Sequence, residues 1–216
     1  MAKRRTVSNL LALAVLAVLA PGRPMHPYEM AGVLRRTGKD RDIRIKWGSL
    51  YTVVQNLDKH GFIEATSSDR EGRRPERTVY AITDAGRAEL RDWLRELIAV
   101  PEPEYPKFQA ALSVAGGLPP DEAIDLLRER VRALDASIAA DRAELARHPE
   151  LPRVFLIESE YALAMREAEA AWVRSLLTEL VDGTLSGLAE WRLHHQTGGV
   201  PPEWDQLLED MRHTDT

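Results

Sequence analysis

From Leu10 to Ala20 the chain reads LLALAVLAVLA, eleven apolar residues in a row, preceded by Lys3, Arg4 and Arg5 and closed by Pro21-Gly22. A helix of this composition has no polar face and must be covered on every side. Two arrangements meet that demand. One is the apolar region of a secretory leader behind a basic n-region; the other is the central helix of a domain. Eleven residues are too few to cross a bilayer, which takes ~20. Pro21, directly after Val18-Leu19-Ala20, would also obstruct a signal peptidase. The rest of the chain decides between the two.

With 216 residues the chain is long enough for two small domains, and its zero cysteines exclude disulfides and thiol chemistry. The net charge of −5 is unevenly spread. Residues 1–100 hold 18 Lys and Arg against 12 Asp and Glu, and the remaining 11 and 22 fall in the second half. A head of +6 joined to a body of −11 suits a nucleic-acid-binding half and an acidic partner half.

The order of elements sharpens this. A first helix is expected over 7–19 and a second from Pro27, a favoured first-turn residue, to Gly38, a helix-ending glycine. A third runs through SLYTVVQNLDKHG, from near Ser49 to Gly61. FIEATSSD and TVYAIT read as strands around the turn REGRRPER, with Phe62, Glu64 and Thr66 on one face and Ile63 and Ala65 on the other. Thr83-Asp84 then caps a further helix. Three helices, a hairpin and a helix are the order of a winged helix-turn-helix.

PEPEYP (101–106), with three prolines, marks a break. Beyond it, helices are expected over about 120–147, 152–182, 184–195 and 202–212. Ile124, Leu127, Val131, Leu134 and Ile138 repeat at 3-4-3-4 spacing, a coiled-coil-like seam. Ile157, Tyr161, Ala164, Ala168, Trp172, Leu176 and Leu180 suggest one apolar face for the next helix. The predicted fold is therefore mainly α with a small β-hairpin wing. Residues 1–98 form the winged helix-turn-helix, and residues 99–216 a helical dimerisation and effector domain.

The stretch WGSLYTVVQNLDKHGFIE, with MHPYEM upstream and GRRPERTVYAITDAGRAEL downstream, resembles the PadR family of bacterial transcriptional regulators over about residues 8–95. The family has His-Gly-Tyr where this chain has His26-Pro27-Tyr28, so a slightly altered turn is expected there. The resemblance implies a DNA-binding head and a helical half that responds to small aromatic or cationic ligands.

The residues support that reading on their own terms. Leu50, Val53, Val54 and Leu57 supply a buried stripe for a recognition helix, leaving Ser49, Tyr51, Thr52, Gln55, Asn56 and Lys59 outside. Gln and Asn read adenine bidentately, and Ser and Thr serve bases or phosphates. Arg70, Arg73, Arg74 and Arg77 crowd the wing, where a phosphate backbone or narrow minor groove would balance them. Lys46 is a further phosphate contact. These eleven residues form the expected DNA-binding set, with solvated surface as the plain alternative.

Trp172, Trp191 and Tyr161 form a speculative effector set, with Trp204 close by; core or dimer packing is the competing explanation. His26 fits a capping role better than a catalytic one. No phosphate-cradling glycine loop or His-Glu-x-x-His motif occurs, and no cofactor or metal is expected.

The expected partners are double-stranded DNA with a pseudo-palindromic operator, a second copy of the chain held through 124–145 and 153–182, and a small-molecule effector. A winged-helix protein adaptor is the alternative. An enzyme using Glu158, Glu160, Glu167 and Glu169 lacks the histidines of a di-metal bundle. A cytoplasmic regulator also settles the opening run as the head's central helix, covered by the second helix, the recognition helix and the C-terminal half. Lys3, Arg4 and Arg5 then become a basic arm beside DNA.

Overall fold

The computed structural model describes residues 5–39, 43, 45–69, 77–202, 204 and 205. The chain divides into two compact units, one ending at Pro103 and the other beginning at Glu104. The division falls inside PEPEYP.

The first unit is built around α1 (Leu10–Leu19). The helix begins three residues later than its apolar pattern suggests, because Asn9 caps it: Leu11 N–H donates to Asn9 Oδ1 at 2.9 Å. Its far end is held by Arg87, whose guanidinium donates to the Ala20 carbonyl. Leu11, Val15, Leu16 and Leu19 are at most 2% exposed. Their cover comes from α2 (Pro27–Arg36), α3 (Leu50–Lys59), β2 (Arg77–Ile82) and α4 (Asp84–Ala99), all elements of the first unit. α4 and the hairpin thus supply cover that the sequence reading gave to the C-terminal half.

Three local devices fix these elements. Gly38 and Gly61 sit at φ +70° and +71°, just past the ends of α2 and α3, where a side chain would be strained. Thr83 caps α4, accepting from Gly86 N–H at 3.0 Å and donating to the Gly61 carbonyl at 2.6 Å. Gly86 itself lies against the chain, since an added Cβ would stand 2.0 Å from the Phe62 carbonyl oxygen.

β1 (Ile63–Asp69) pairs antiparallel with β2, Ile63 opposite Ile82 and Ala65 opposite Tyr80. A bulge between Ala65 and Ser67 interrupts the register; Glu64, Ala65 and Thr66 are exposed, while Ile63 is buried. Met25 adds an isolated antiparallel bridge to β2 that the sequence did not suggest, exchanging two 3.0 Å backbone hydrogen bonds with Tyr80.

The second unit is helical: α5 (Lys107–Leu112), α6 (Pro120–Ala146), α7 (Ile157–Asp182) and α8 (Leu188–Thr197). The short α5 escaped the sequence reading, and the helix expected over 202–212 lies largely outside the described residues. α6 and α7 fold back on one another, burying Ile124 and Leu127 with Val173, Leu180 and Leu188. A set of ion pairs runs along them: Arg130–Glu169, Arg174–Asp135, Arg166–Asp141 and Arg142–Glu167. The expected apolar face of α7 differs from the observed one. Ala170 and Val173 turn inward with Leu180, whereas Ile157, Tyr161 and Trp172 are more than half exposed. Small residues let the two helices approach, and periodicity alone does not select them. Among the described residues, no helix is long and apolar enough to cross a membrane.

Candidate nucleic-acid interface

α3 separates its two sides cleanly. Leu50, Val53, Val54 and Leu57 are 4% exposed or less, and burial of each contributes about 2 kcal/mol toward fixing the helix. Thr52, Gln55, Asn56 and Lys59 repeat at the same i, i+3, i+4, i+7 spacing on the exposed side. A single polar row two turns long is therefore presented by a rigid support. Tyr51 is 55% exposed at the first turn.

A 3₁₀ turn, Trp47–Ser49, leads into α3. Ser49 does not cap the helix with its side chain; its hydroxyl donates to the Lys46 carbonyl at 2.7 Å. Lys46, at the entry to this turn, is exposed. Arg35, in the last turn of α2, stacks its guanidinium 4.1 Å from the Trp47 ring centroid, which ties the two helices together across the connector.

The start of α2 meets the start of α3. His26 and Tyr51 contact edge to face at 6.4 Å. His26 caps α2: its Nδ1 accepts from Tyr28 N–H at 3.1 Å, and Glu29 Oε2 accepts from His26 N–H at 2.9 Å. Pro27 occupies the first turn and is buried, so the proline that departs from the family pattern fits the helix start. Arg23 and Arg36, passed over in the sequence, line a cleft of about 400 Å³ with Tyr28, which is 74% exposed. The paired Arg35-Arg36 in α2 was the one available sequence signal. In the hairpin, burial raises the Tyr80 phenol above its usual range, with a further push from Asp58.

The structure brings Lys46, Ser49, Tyr51, Thr52, Gln55, Asn56 and Lys59 together. Arg77 opens β2, and Arg70, Arg73 and Arg74 lie outside the described residues, as do Lys3 and Arg4. Arg5 corrects the basic-arm reading. Its side chain is 6% exposed and forms ion pairs with Glu89 and Glu96 of α4. It also lies 5.2 Å from the Trp93 ring centroid. Burial opposes the charge, but hydrogen bonds to the two glutamates outweigh it and hold the guanidinium protonated. Arg5 is thus a clamp between the chain start and α4.

In the helical unit, Trp172 and Trp191 line one cavity, while Tyr161 is not among its lining residues. Glu160, Glu167 and Glu169 each pair with an arginine, namely Arg153, Arg142 and Arg130. Rings of His194 and His195 contact the carbonyls of Gly199 and Gly116 at 2.7 and 2.8 Å.

Residues 15–92 match the transcriptional regulator PadR-like family. The N-terminal unit has a winged-helix fold and is similar to this family over those residues. The chain is 28% identical over 94 residues to the negative transcriptional regulator PadR of Bacillus subtilis, covering 44% of this chain and 51% of that protein. A probable transcriptional regulator of Mycobacterium tuberculosis is 34% identical over 68 residues, 30% of this chain and 35% of that one. The chain thus spans about half or less of these curated relatives. In fold it is similar to Bacillus subtilis PadR in complex with operator DNA, with a TM-score of 0.64 at 22% identity, covering 80% of this chain and 99% of that one. The same protein in complex with p-coumaric acid also gives 0.64, at 21% identity and the same coverage. The Vibrio cholerae virulence activator AphA gives 0.61 at 19%, covering 80% and 98%.

Proposed function

We propose that the protein is a sequence-specific DNA-binding transcriptional regulator that works as a homodimer in the cytoplasm, as a repressor modulated by a small molecule. The observation that carries the reading is the exposed row Thr52, Gln55, Asn56 and Lys59 on a helix anchored by four buried aliphatic residues. Gln55 and Asn56 would read base edges. Lys46, Ser49, Tyr51, Thr52 and Lys59 would hold the backbone, joined by wing arginines 70, 73, 74 and 77. Arg23 and Arg36 extend the basic surface at the α2 cleft.

The dimer reading draws on α7. Of the 124–138 seam, Ile124, Leu127 and Ile138 are already buried within the unit and Val131 and Leu134 are half-buried, so the seam offers a second copy little apolar surface. Ile157, Tyr161, Met165 and Trp172 are each more than half exposed and offer an apolar stripe instead. A two-fold dimer would set two α3 helices about 34 Å apart, one turn of DNA. Repression is favoured by the chain's similarity to a negative regulator, and a small-molecule effector by that regulator's complex with p-coumaric acid.

Titration of the full chain against duplex from its own promoter region, at rising salt, tests this. The expected result is preference over random duplex and an affinity that falls steeply with salt. A flat salt response, or no preference, would instead favour the protein adaptor.

A further inference from the structure

α2 carries a glycine, Gly32, in the middle of the helix, where propensity is against one. The space it leaves is used. A Cβ built at Gly32 would stand 3.1 Å from Nη1 of Arg36, whose guanidinium lies back over the helix there. The neighbouring Arg35 is engaged elsewhere, on the Trp47 ring.

Arg23 lines the same cleft of about 400 Å³ as Arg36, with Tyr28 and Glu29. A stiff turn presents it. Gly22 takes φ +84° and donates to the Leu19 carbonyl at 3.0 Å, Pro24 fixes its own φ, and Met25 is tied to Tyr80. Arg87 backs this turn, its Nη2 3.5 Å from where a Gly22 Cβ would stand.

Two guanidiniums that share a cleft repel one another. Among the described residues no ion pair joins either to a carboxylate. Glu29, the acid in the cleft, accepts His26 N–H through Oε2 at 2.9 Å as part of the α2 cap. The cleft therefore keeps an excess positive charge on a support that pre-sets both arginines. Tyr28, 74% exposed, adds a phenol hydroxyl as a further donor. A phosphodiester supplies a negative charge and paired free oxygens that match fork-shaped donors. The cleft belongs to the same unit as the α3 row, and the start of α2 meets the start of α3 through His26 and Tyr51.

The structure assigns this cleft a backbone phosphate of bound duplex, gripped by Arg23, Arg36 and Tyr28, with Gly32 as the positioning residue that seats Arg36. The assignment rests on the DNA-binding reading above and adds a sequence-independent anchor to the row that reads bases.

The test is titration of the full chain against promoter and random duplex over a range of salt. Arg23→Ala/Arg36→Ala should weaken both duplexes alike, about tenfold, and cut the salt slope by about 1, the share of one phosphate. Promoter preference and the thermal melt should not change, since both side chains are exposed. Tyr28→Phe removes only the hydroxyl and should weaken both duplexes about threefold. Gly32→Ala displaces Arg36 and should also weaken both about threefold, while the melt holds or rises because alanine favours the helix.

A double variant with the wild-type salt slope would overturn the assignment. So would a loss confined to promoter duplex, which would make the cleft a base reader. Gly32→Ala losing affinity and melt together would overturn its seating role and make it a packing residue. Inorganic phosphate, titrated by calorimetry at fixed ionic strength, separates a free anion from the duplex. Saturable phosphate binding that the double variant loses with duplex affinity intact would contradict the backbone contact. Wild-type protein without salt-dependent duplex binding would sink the DNA-binding reading itself, whereas wild-type binding with an unaltered double variant sinks the cleft alone.

Discussion

In the N-terminal unit α1 is ten residues long and keeps Leu11, Val15, Leu16 and Leu19 almost wholly from solvent; in the helical unit α7, with 26 residues, leaves Ile157, Tyr161, Met165 and Trp172 mostly in it. The charges follow the same contrast. Arg5 makes its two ion pairs where it is 6% exposed, whereas Arg142 meets Glu167 at 65% exposure. The head completes its own core and can hold a recognition row in fixed geometry. The helical unit leaves apolar surface that a second copy would complete.

Arg5→Ala should break the head's side of this contrast most severely. It removes a largely buried cation that pairs with two glutamates, so the expected cost is about 3 kcal/mol. For a head-sized unit that lowers the melting temperature by roughly 10–20 °C in calorimetry. Unchanged stability would return Arg5 to a solvated arm. Arg142→Ala removes an exposed pair in the helical unit and should cost less than about 0.5 kcal/mol in the same experiment. Equal losses at the two sites would erase the contrast.

Much of the head was legible because its signals are local. Pro27, Gly38, Gly61 and Thr83 announce helix ends through their own backbone chemistry. The α3 stripe repeats at helical spacing within eight residues. What escaped the sequence is non-local. Arg5 meets Glu89 and Glu96 across more than 80 residues, and Met25 pairs with Tyr80 without any strand pattern of its own. In α7 apolar residues occur on several faces, so the period could not say that Ala170 and Val173, rather than Tyr161 and Trp172, meet α6. The effector set was separable only in three dimensions, where Trp172 and Trp191 share a cavity that Tyr161 does not line.

The most direct measurement compares promoter duplex with random duplex for the Gln55→Ala/Asn56→Ala double variant. Each good base contact is worth about 1–3 kcal/mol of discrimination. The preference should therefore fall at least tenfold, with random-duplex binding and thermal stability unchanged. A double variant that keeps its full preference would contradict the claim that the exposed row of α3 reads DNA.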